Sequence, residues 1–230
     1  MRILIIGAGK VGSSVAGNLV SESNDITIVD TNKAKIAEIQ SNYDLQGIVG
    51  DATSPSVLAD AGAVDADMII AVTANDETNL AVTLIAEQLF NVPSRIARVR
   101  NDELREYPAL LSTSGFRATS VIWPEEAITN YIVQLITYPE ALQVIEFSDG
   151  DVVLMSVKIV SSSKMCGRPV SALQDELPRV KVQIVSIYRQ KYRLDDIDGK
   201  TVLEAGDEIF FLTTKACAHA VVKAFRVKPR

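Results

Sequence analysis

The run Gly7-Ala8-Gly9-Lys10-Val11-Gly12 follows four apolar residues, Ile3–Ile6, and opens a helical pattern that continues through Val20. A turn that cradles a pyrophosphate needs these residue types at this spacing. Gly7 permits a tight strand-to-helix turn, Gly9 lets the backbone approach a phosphate, and Gly12 lets the helix lie close to the sheet. The free N–H groups and dipole at the start of the helix then attract the anion. Lys10, exposed in this geometry, could help neutralise it.

Asp30 ends the second apolar run, 18 residues after Gly12. A carboxylate there accepts hydrogen bonds from the ribose hydroxyls of an adenosine and repels a 2′-phosphate, which favours NAD-like over NADP-like ligands. The alternative is that Asp30 only caps the helix starting near Lys33. Asp51, in Gly50-Asp51-Ala52-Thr53, stands where adenine or ribose contacts are made, or else Asp51 or Ser54 caps the helix containing Pro55. Thr73-Ala74 ends the fourth strand beside the expected reversal of strand order, so its backbone should line the pocket. Arg98 and Arg100 end the fifth strand. One of them could reach an anionic phosphate, Arg98 being nearer the strand centre, or pair with Asp76 or Glu77.

These residues require a scaffold of alternating strands and helices. Apolar strands are expected at Ile3–Ile6, Ile26–Val29, Leu45–Val49, Met68–Val72, Arg95–Val99 and Ala118–Ile122. Helices are expected at Lys33–Gln40, Pro55–Ala61, Glu77–Phe90 and Asp102–Leu111. Six such units with short connections make an α/β, Rossmann-like, doubly wound parallel sheet. A further helix, Glu125–Thr137, ends at Tyr138-Pro139. Beyond it the pattern becomes a smaller α+β module: strands Leu142–Phe147 and Val152–Val160 around the turn Ser148-Asp149-Gly150-Asp151, a short helix Pro169–Leu177, strands Val182–Tyr188 and Glu208–Thr213, and a closing helix Lys215–Phe225. The expected domains are residues 1–139 and 140–230.

Composition narrows the function. With 230 residues, 47% of them hydrophobic, the chain can build one or two packed domains. A net charge of −6 disfavours nucleic acid as a partner. The charge is uneven: residues 1–139 carry 17 acidic and 9 basic side chains, net −8, and residues 140–230 carry 12 and 14, net +2. Cys166 and Cys217 form neither a disulfide framework nor a metal-ligand spacing, and His219 is the only histidine. The apolar runs are too short to span a bilayer, so a soluble, cytoplasmic protein is expected. Trp123, before Pro124, reads as a hinge or packing residue.

The sequence resembles the TrkA-type regulatory subunits of bacterial potassium uptake, the RCK (KTN) family. The likeness runs through Met1–Gly12, Asn24–Thr31, Ala63–Met68, Val72–Asn79, Arg95–Arg100, Tyr138–Val144 and Leu203–Phe211. Its most specific stretches are Asn-Asp-Glu-Thr-Asn, Arg-Ile-Ala-Arg and Tyr-Pro. The resemblance implies a nucleotide-binding first domain taking NAD(H), with ATP or ADP as possible competitors in the same pocket. Its site residues would be Gly7, Ala8, Gly9, Lys10, Val11, Asp30, Asp51, Thr73, Ala74 and Arg98. It also implies a helix that crosses to a partner subunit, a small TrkA-C domain, and a ring under a membrane potassium transporter of the TrkH/TrkG kind, at the inner face of the cell membrane. Such proteins are regulators, not enzymes. Many members carry two units in tandem. This sequence has one, ending at Val227-Lys228-Pro229-Arg230, and reads as the first half of a longer protein or a single-unit member. The competing reading is a small NAD-dependent dehydrogenase, which would need an acid or base beside the nicotinamide.

Overall fold

The computed structural model describes residues 1–20, 23–112, 114–147 and 150–226. The chain divides into two compact units, Met1–Ile128 and Thr129–Arg230.

In the first unit, strands β1 (Arg2–Ile6), β2 (Asp25–Asp30), β3 (Gln46–Val49), β4 (Met68–Ala71), β5 (Ser94–Arg98) and β6 (Ser120–Ile122) form a parallel sheet in the order β3-β2-β1-β4-β5-β6. The helices α1 (Lys10–Leu19), α2 (Lys33–Asn42), α3 (Pro55–Asp60), α4 (Asp76–Phe90) and α5 (Pro108–Leu111) connect them. Strand alternation sends Ile3 and Ile5 to a core with Ala16, Ile36 and Ile39, and Leu4 and Ile6 to another with Leu58, Val82 and Ala86. A strand buried on both faces must be apolar at every position, and Ile-Leu-Ile-Ile meets that need. From β1 the chain winds outward through β2 and β3, then returns to β4. The carboxyl ends of β1 and β4 therefore diverge into opposite windings and leave a crevice between them.

The helix expected over Asp102–Leu111 is broken. Asp102–Glu106 forms a 3-10 turn and only Pro108–Leu111 is α-helical. Pro108 lacks the N–H to continue the ladder and drives Tyr107 to φ −122°, ψ 59°. Arg95, buried in β5, is held by carbonyls: Nε donates to Arg117 at 2.7 Å, and Nη1 donates to Val92 and to Pro93. Helix α6 (Pro124–Thr137) has no buried residue, although Ile128, Tyr131, Ile132, Val133, Leu135 and Ile136 lie along it.

The second unit is an antiparallel sheet in the order β10-β9-β11-β8-β7, built from β7 (Ala141–Phe147), β8 (Val152–Lys158), β9 (Val182–Arg189), β10 (Tyr192–Arg193) and β11 (Glu208–Thr214). Val153, Met155 and Val157 of β8 and Ile209 and Phe211 of β11 pack against Val221, Val222 and Phe225 of helix α8 (Ala218–Arg226). The short helix α7 (Ala172–Glu176) starts later than expected, because Pro169 bridges to Val202 instead of opening it. The closing helix also starts late: Lys215–Cys217 is a 3-10 turn. Of the expected turn Ser148-Asp149-Gly150-Asp151, Ser148 and Asp149 lie outside the described residues, as do Val227–Arg230; Gly150 has φ +90°. The β9–β10 hairpin turns through Gln190 and Lys191, at φ +51° and +73°.

One ion cluster anchors this unit. The Asp207 side chain is 1% exposed and receives Arg189 Nε and Nη2 as a fork, both at 2.8 Å. Arg189 Nη2 also donates to the Val202 carbonyl at 2.9 Å, and Nη1 reaches Glu204 Oε1 at 2.5 Å. The Glu204 N–H donates to Asp207 Oδ2 at 2.8 Å across the turn in which Gly206 takes φ +95°.

Candidate functional site

The crevice at the carboxyl ends of β1 and β4 is a cleft of about 620 Å³. Its floor is the glycine turn. Gly7 has φ +103°, and a Cβ there would come within 3.1 Å of the Thr73 backbone. At Gly12 a Cβ would lie 1.8 Å from the Gly7 carbonyl oxygen, so α1 approaches the turn at a distance only glycine allows. At Gly9 a Cβ would meet nothing within 4 Å. That glycine faces open cleft, where a ligand backbone would come closest. Helix α1 begins at Lys10 with Gly9 as its cap and no side chain closing its first turn, which leaves N–H groups directed at the cleft.

Asp30, at the end of β2, braces this turn. Oδ2 accepts the Ala8 N–H at 2.7 Å and Oδ1 accepts the Asn32 N–H at 2.8 Å. A carboxylate has about four lone-pair sites, so roughly two remain for a ligand's hydroxyl groups. Asp30 is not the helix cap. Asn32 caps α2, accepting from the N–H groups of Ala34 and Lys35.

Just beyond β3, the neighbour of β2, Asp51 Oδ1 accepts both the Thr53 N–H at 2.9 Å and the Thr53 hydroxyl at 2.8 Å. Ser54 caps α3 without a side-chain bond, so the capping role considered for Asp51 and Ser54 is filled by neither side chain. The Thr53 backbone bond, followed by its hydroxyl bond, holds the Asp51 carboxyl below the usual carboxylate range. A carboxylate depressed in the folded state contributes stability above its unfolded pKa and loses it as pH falls through the lower, folded value. In Thr53→Ala the Asp51 resonance, followed by NMR on acidification, should titrate at higher pH than in the wild type. The backbone N–H bond stays in this variant, so an unmoved midpoint would disprove the share assigned to the hydroxyl.

Thr73, Ala74 and Arg98 complete the wall. Neither arginine pairs with Asp76 or Glu77 through its guanidinium among the described residues. Asp76 Oδ2 instead accepts the backbone N–H groups of Arg100 and Asn101, each at 2.8 Å, and Arg100 Nη2 donates to the Ala74 carbonyl at 3.2 Å. Arg98 lines the cleft and its buried Nε has no partner among the described residues.

Of the ten residues expected to form the site, nine line this cleft, and Ala8 is the exception. Ala8 is buried and contributes through its N–H bond to Asp30. Lys35 and Thr78 also line the cleft and were not anticipated. Asn79, the last residue of the Asn-Asp-Glu-Thr-Asn stretch, is buried and bonded to both Thr73 and Arg98. Its signal was available: an amide three residues into a helix otherwise facing a core. His219 lies on α8, its ring 4.8 Å from that of Tyr138. Trp123 is partly buried and carries the Arg105 guanidinium over its ring at 4.6 Å. Among the described residues no His, Cys, Asp or Glu cluster could hold a metal, and no helix is long and apolar enough to cross a membrane.

The TrkA-N domain model matches residues 3–124 and the TrkA-C domain model matches residues 154–226. The Trk system potassium uptake protein TrkA of Vibrio alginolyticus is 45% identical over 213 residues, 92% of this chain and 46% of that protein. The chain thus spans about half the length of that relative. The Trk system potassium uptake protein TrkA homolog of Methanothermobacter thermautotrophicus is 31% identical over 188 residues, 82% of each chain. Among solved structures, the GsuK channel bound to NAD aligns with a TM-score of 0.62 and 18% identity, over 100% of this chain and 40% of that one. A likeness at that identity shows a shared fold.

Proposed function

The chain belongs to the TrkA family, with both its TrkA-N and TrkA-C domains, and from that premise we propose that it is a nucleotide-sensing regulatory unit of a membrane potassium uptake transporter. The observation that carries this reading is the cleft itself. A glycine turn open at Gly9, a carboxylate at Asp30 with unused lone pairs, and Arg98, whose buried Nε has no partner among the described residues, converge on one space. Together they suit the phosphates and ribose of NAD(H), and equally those of ATP or ADP. Ligand that binds one assembly shape more tightly than another shifts the balance between them by that difference in affinity.

The remaining parts of the reading follow the family. The apolar residues of α6, none of them buried, support a helix that crosses onto a second copy. Placing the functional boundary near Pro139 keeps this helix with the nucleotide domain, and residues 140–230 form the TrkA-C domain. A ring of such copies would act at the cytoplasmic face of the transporter. The chain is read as a regulator and not an enzyme. Among the described residues the titratable groups lining the cleft are Lys10, Lys35, Arg98, Asp30 and Asp51.

The test is calorimetric titration with NADH, repeated in the presence of ATP. Mutual exclusion is expected, since both ligands would use the same adenosine subsite. Tight NADH binding that ATP does not disturb would count against a sensor. In the same assay Asp30→Ala should weaken NADH by about 100-fold, the loss of two charge-assisted hydrogen bonds, while circular dichroism stays native. Unchanged affinity in that variant would remove Asp30 from the site.

A further inference from the structure

The cleft depends on a side chain that does not line it. Asn79 lies near the start of α4 and has no exposed surface. Its Oδ1 accepts the Thr73 N–H at 2.9 Å and the Thr73 hydroxyl at 2.7 Å. Its Nδ2 donates to the Arg98 carbonyl at 2.9 Å and the Thr73 carbonyl at 3.3 Å. The orientation of the amide is forced, because a backbone N–H can only donate and a carbonyl can only accept. One buried amide therefore ties the exit of β4 to the exit of β5. The Asp76 carboxylate adds a second tie two residues beyond Arg98, through the N–H groups of Arg100 and Asn101.

Thr73 from the first exit and Arg98 from the second both line the cleft. We propose that Asn79 is a positioning residue for phosphate recognition, fixing the β5 exit where the Arg98 guanidinium meets a nucleotide's phosphates. The inference rests on the nucleotide reading given above. Aspartate at position 79 would keep the size and the acceptor for Thr73 but set an acceptor against the Arg98 carbonyl, so the β5 exit would move away.

The experiment measures affinity of the full chain for AMP, ADP and ATP. In the wild type, affinity should rise with phosphate number. Asn79→Asp and Arg98→Ala should each reduce the ATP-to-AMP affinity ratio by about tenfold, the scale of one charge-assisted bond. The double variant should lose no more than either single one, because both act through one contact. If Asn79→Asp weakens all three nucleotides equally, or if the losses add, Asn79 is merely structural and the inference falls. If Asn79→Asp does not fold by circular dichroism, Asp76→Ala decides, since it loosens the same exit from a half-buried position. A smaller loss of the ratio then supports the inference and an unchanged ratio overturns it. A wild-type chain that binds none of the three overturns the nucleotide reading, and this inference with it.

Discussion

Arg189→Ala is expected to destabilise the second unit by about 3–5 kcal/mol, the cost of leaving a buried charge without its partner. Removing the guanidinium strands Asp207, whose side chain is 1% exposed, and takes a donor from the Val202 carbonyl. Asp207→Ala should cost less, near the bottom of that range. It strands Arg189 instead, whose side chain is 28% exposed and can turn toward water. The ordering of the two variants is thus part of the prediction. Hydrogen exchange locates the effect: amides of β8, β9 and β11 should lose protection while those of β1 and β4 keep theirs. The exposed pair Lys215–Glu146 serves as the control, because ion pairs of that kind contribute about 1 kcal/mol or less. If Arg189→Ala costs no more than Lys215→Ala, the cluster is not an anchor.

Gly12→Ala should destabilise the first unit by about 2 kcal/mol and remove nucleotide binding. Two effects oppose each other here. Alanine in place of a helical glycine ordinarily stabilises by about 1 kcal/mol. At Gly12, however, the new Cβ would lie 1.8 Å from the Gly7 oxygen, a backbone atom that no rotamer change can move. Helix α1 must shift off the turn, and a backbone clash this close belongs at the upper end of the overpacking range, about 3 kcal/mol, which outweighs the gain. Gly9→Ala separates folding from binding. With no atom within 4 Å of its Cβ, it should melt at the wild-type temperature or slightly above. The methyl would still occupy the space a pyrophosphate needs, so affinity for NADH should fall. Thermal melts and titrations of the two variants give opposite patterns if the turn serves as described. Equal melting temperatures would refute the packing argument at Gly12.

Much of this architecture could be read from local sequence, and the reason is the range over which each signal acts. The strands of the first sheet are short apolar runs punctuated by turns, and the glycine spacing encodes a turn that lies within six residues. Both depend on neighbours along the chain. What sequence missed depends on neighbours in space. The capping role weighed for Asp30 went to Asn32, two residues away and chemically as suitable, and only the backbone geometry chose between them. The hairpin through Gln190-Lys191 carries neither Asn nor Gly, so no turn signal marked it. Pro169 reads as a helix start but is claimed by a bridge to Val202, more than thirty residues on. Arg98 and Arg100 alternate onto one face in sequence. The structure separates them because the strand ends at Arg98 and the chain then turns to Asp76. Asn79 is the clearest case: an amide among core-facing helix positions marks it as unusual, but its local pattern does not say that two strand exits converge on it.

Helix α6 has a consequence for how this protein behaves in dilute solution. A helix of 14 residues with no side chain buried gains little from tertiary packing, and a free helix of that length is marginal in water. If its apolar residues are covered by a second copy, order in this segment becomes a matter of mass action. Helical content and melting temperature would then rise with protein concentration, since association draws the equilibrium toward the ordered form. The segment would act as a concentration gauge, and the nucleotide affinity of a sparse preparation need not match that of a crowded one.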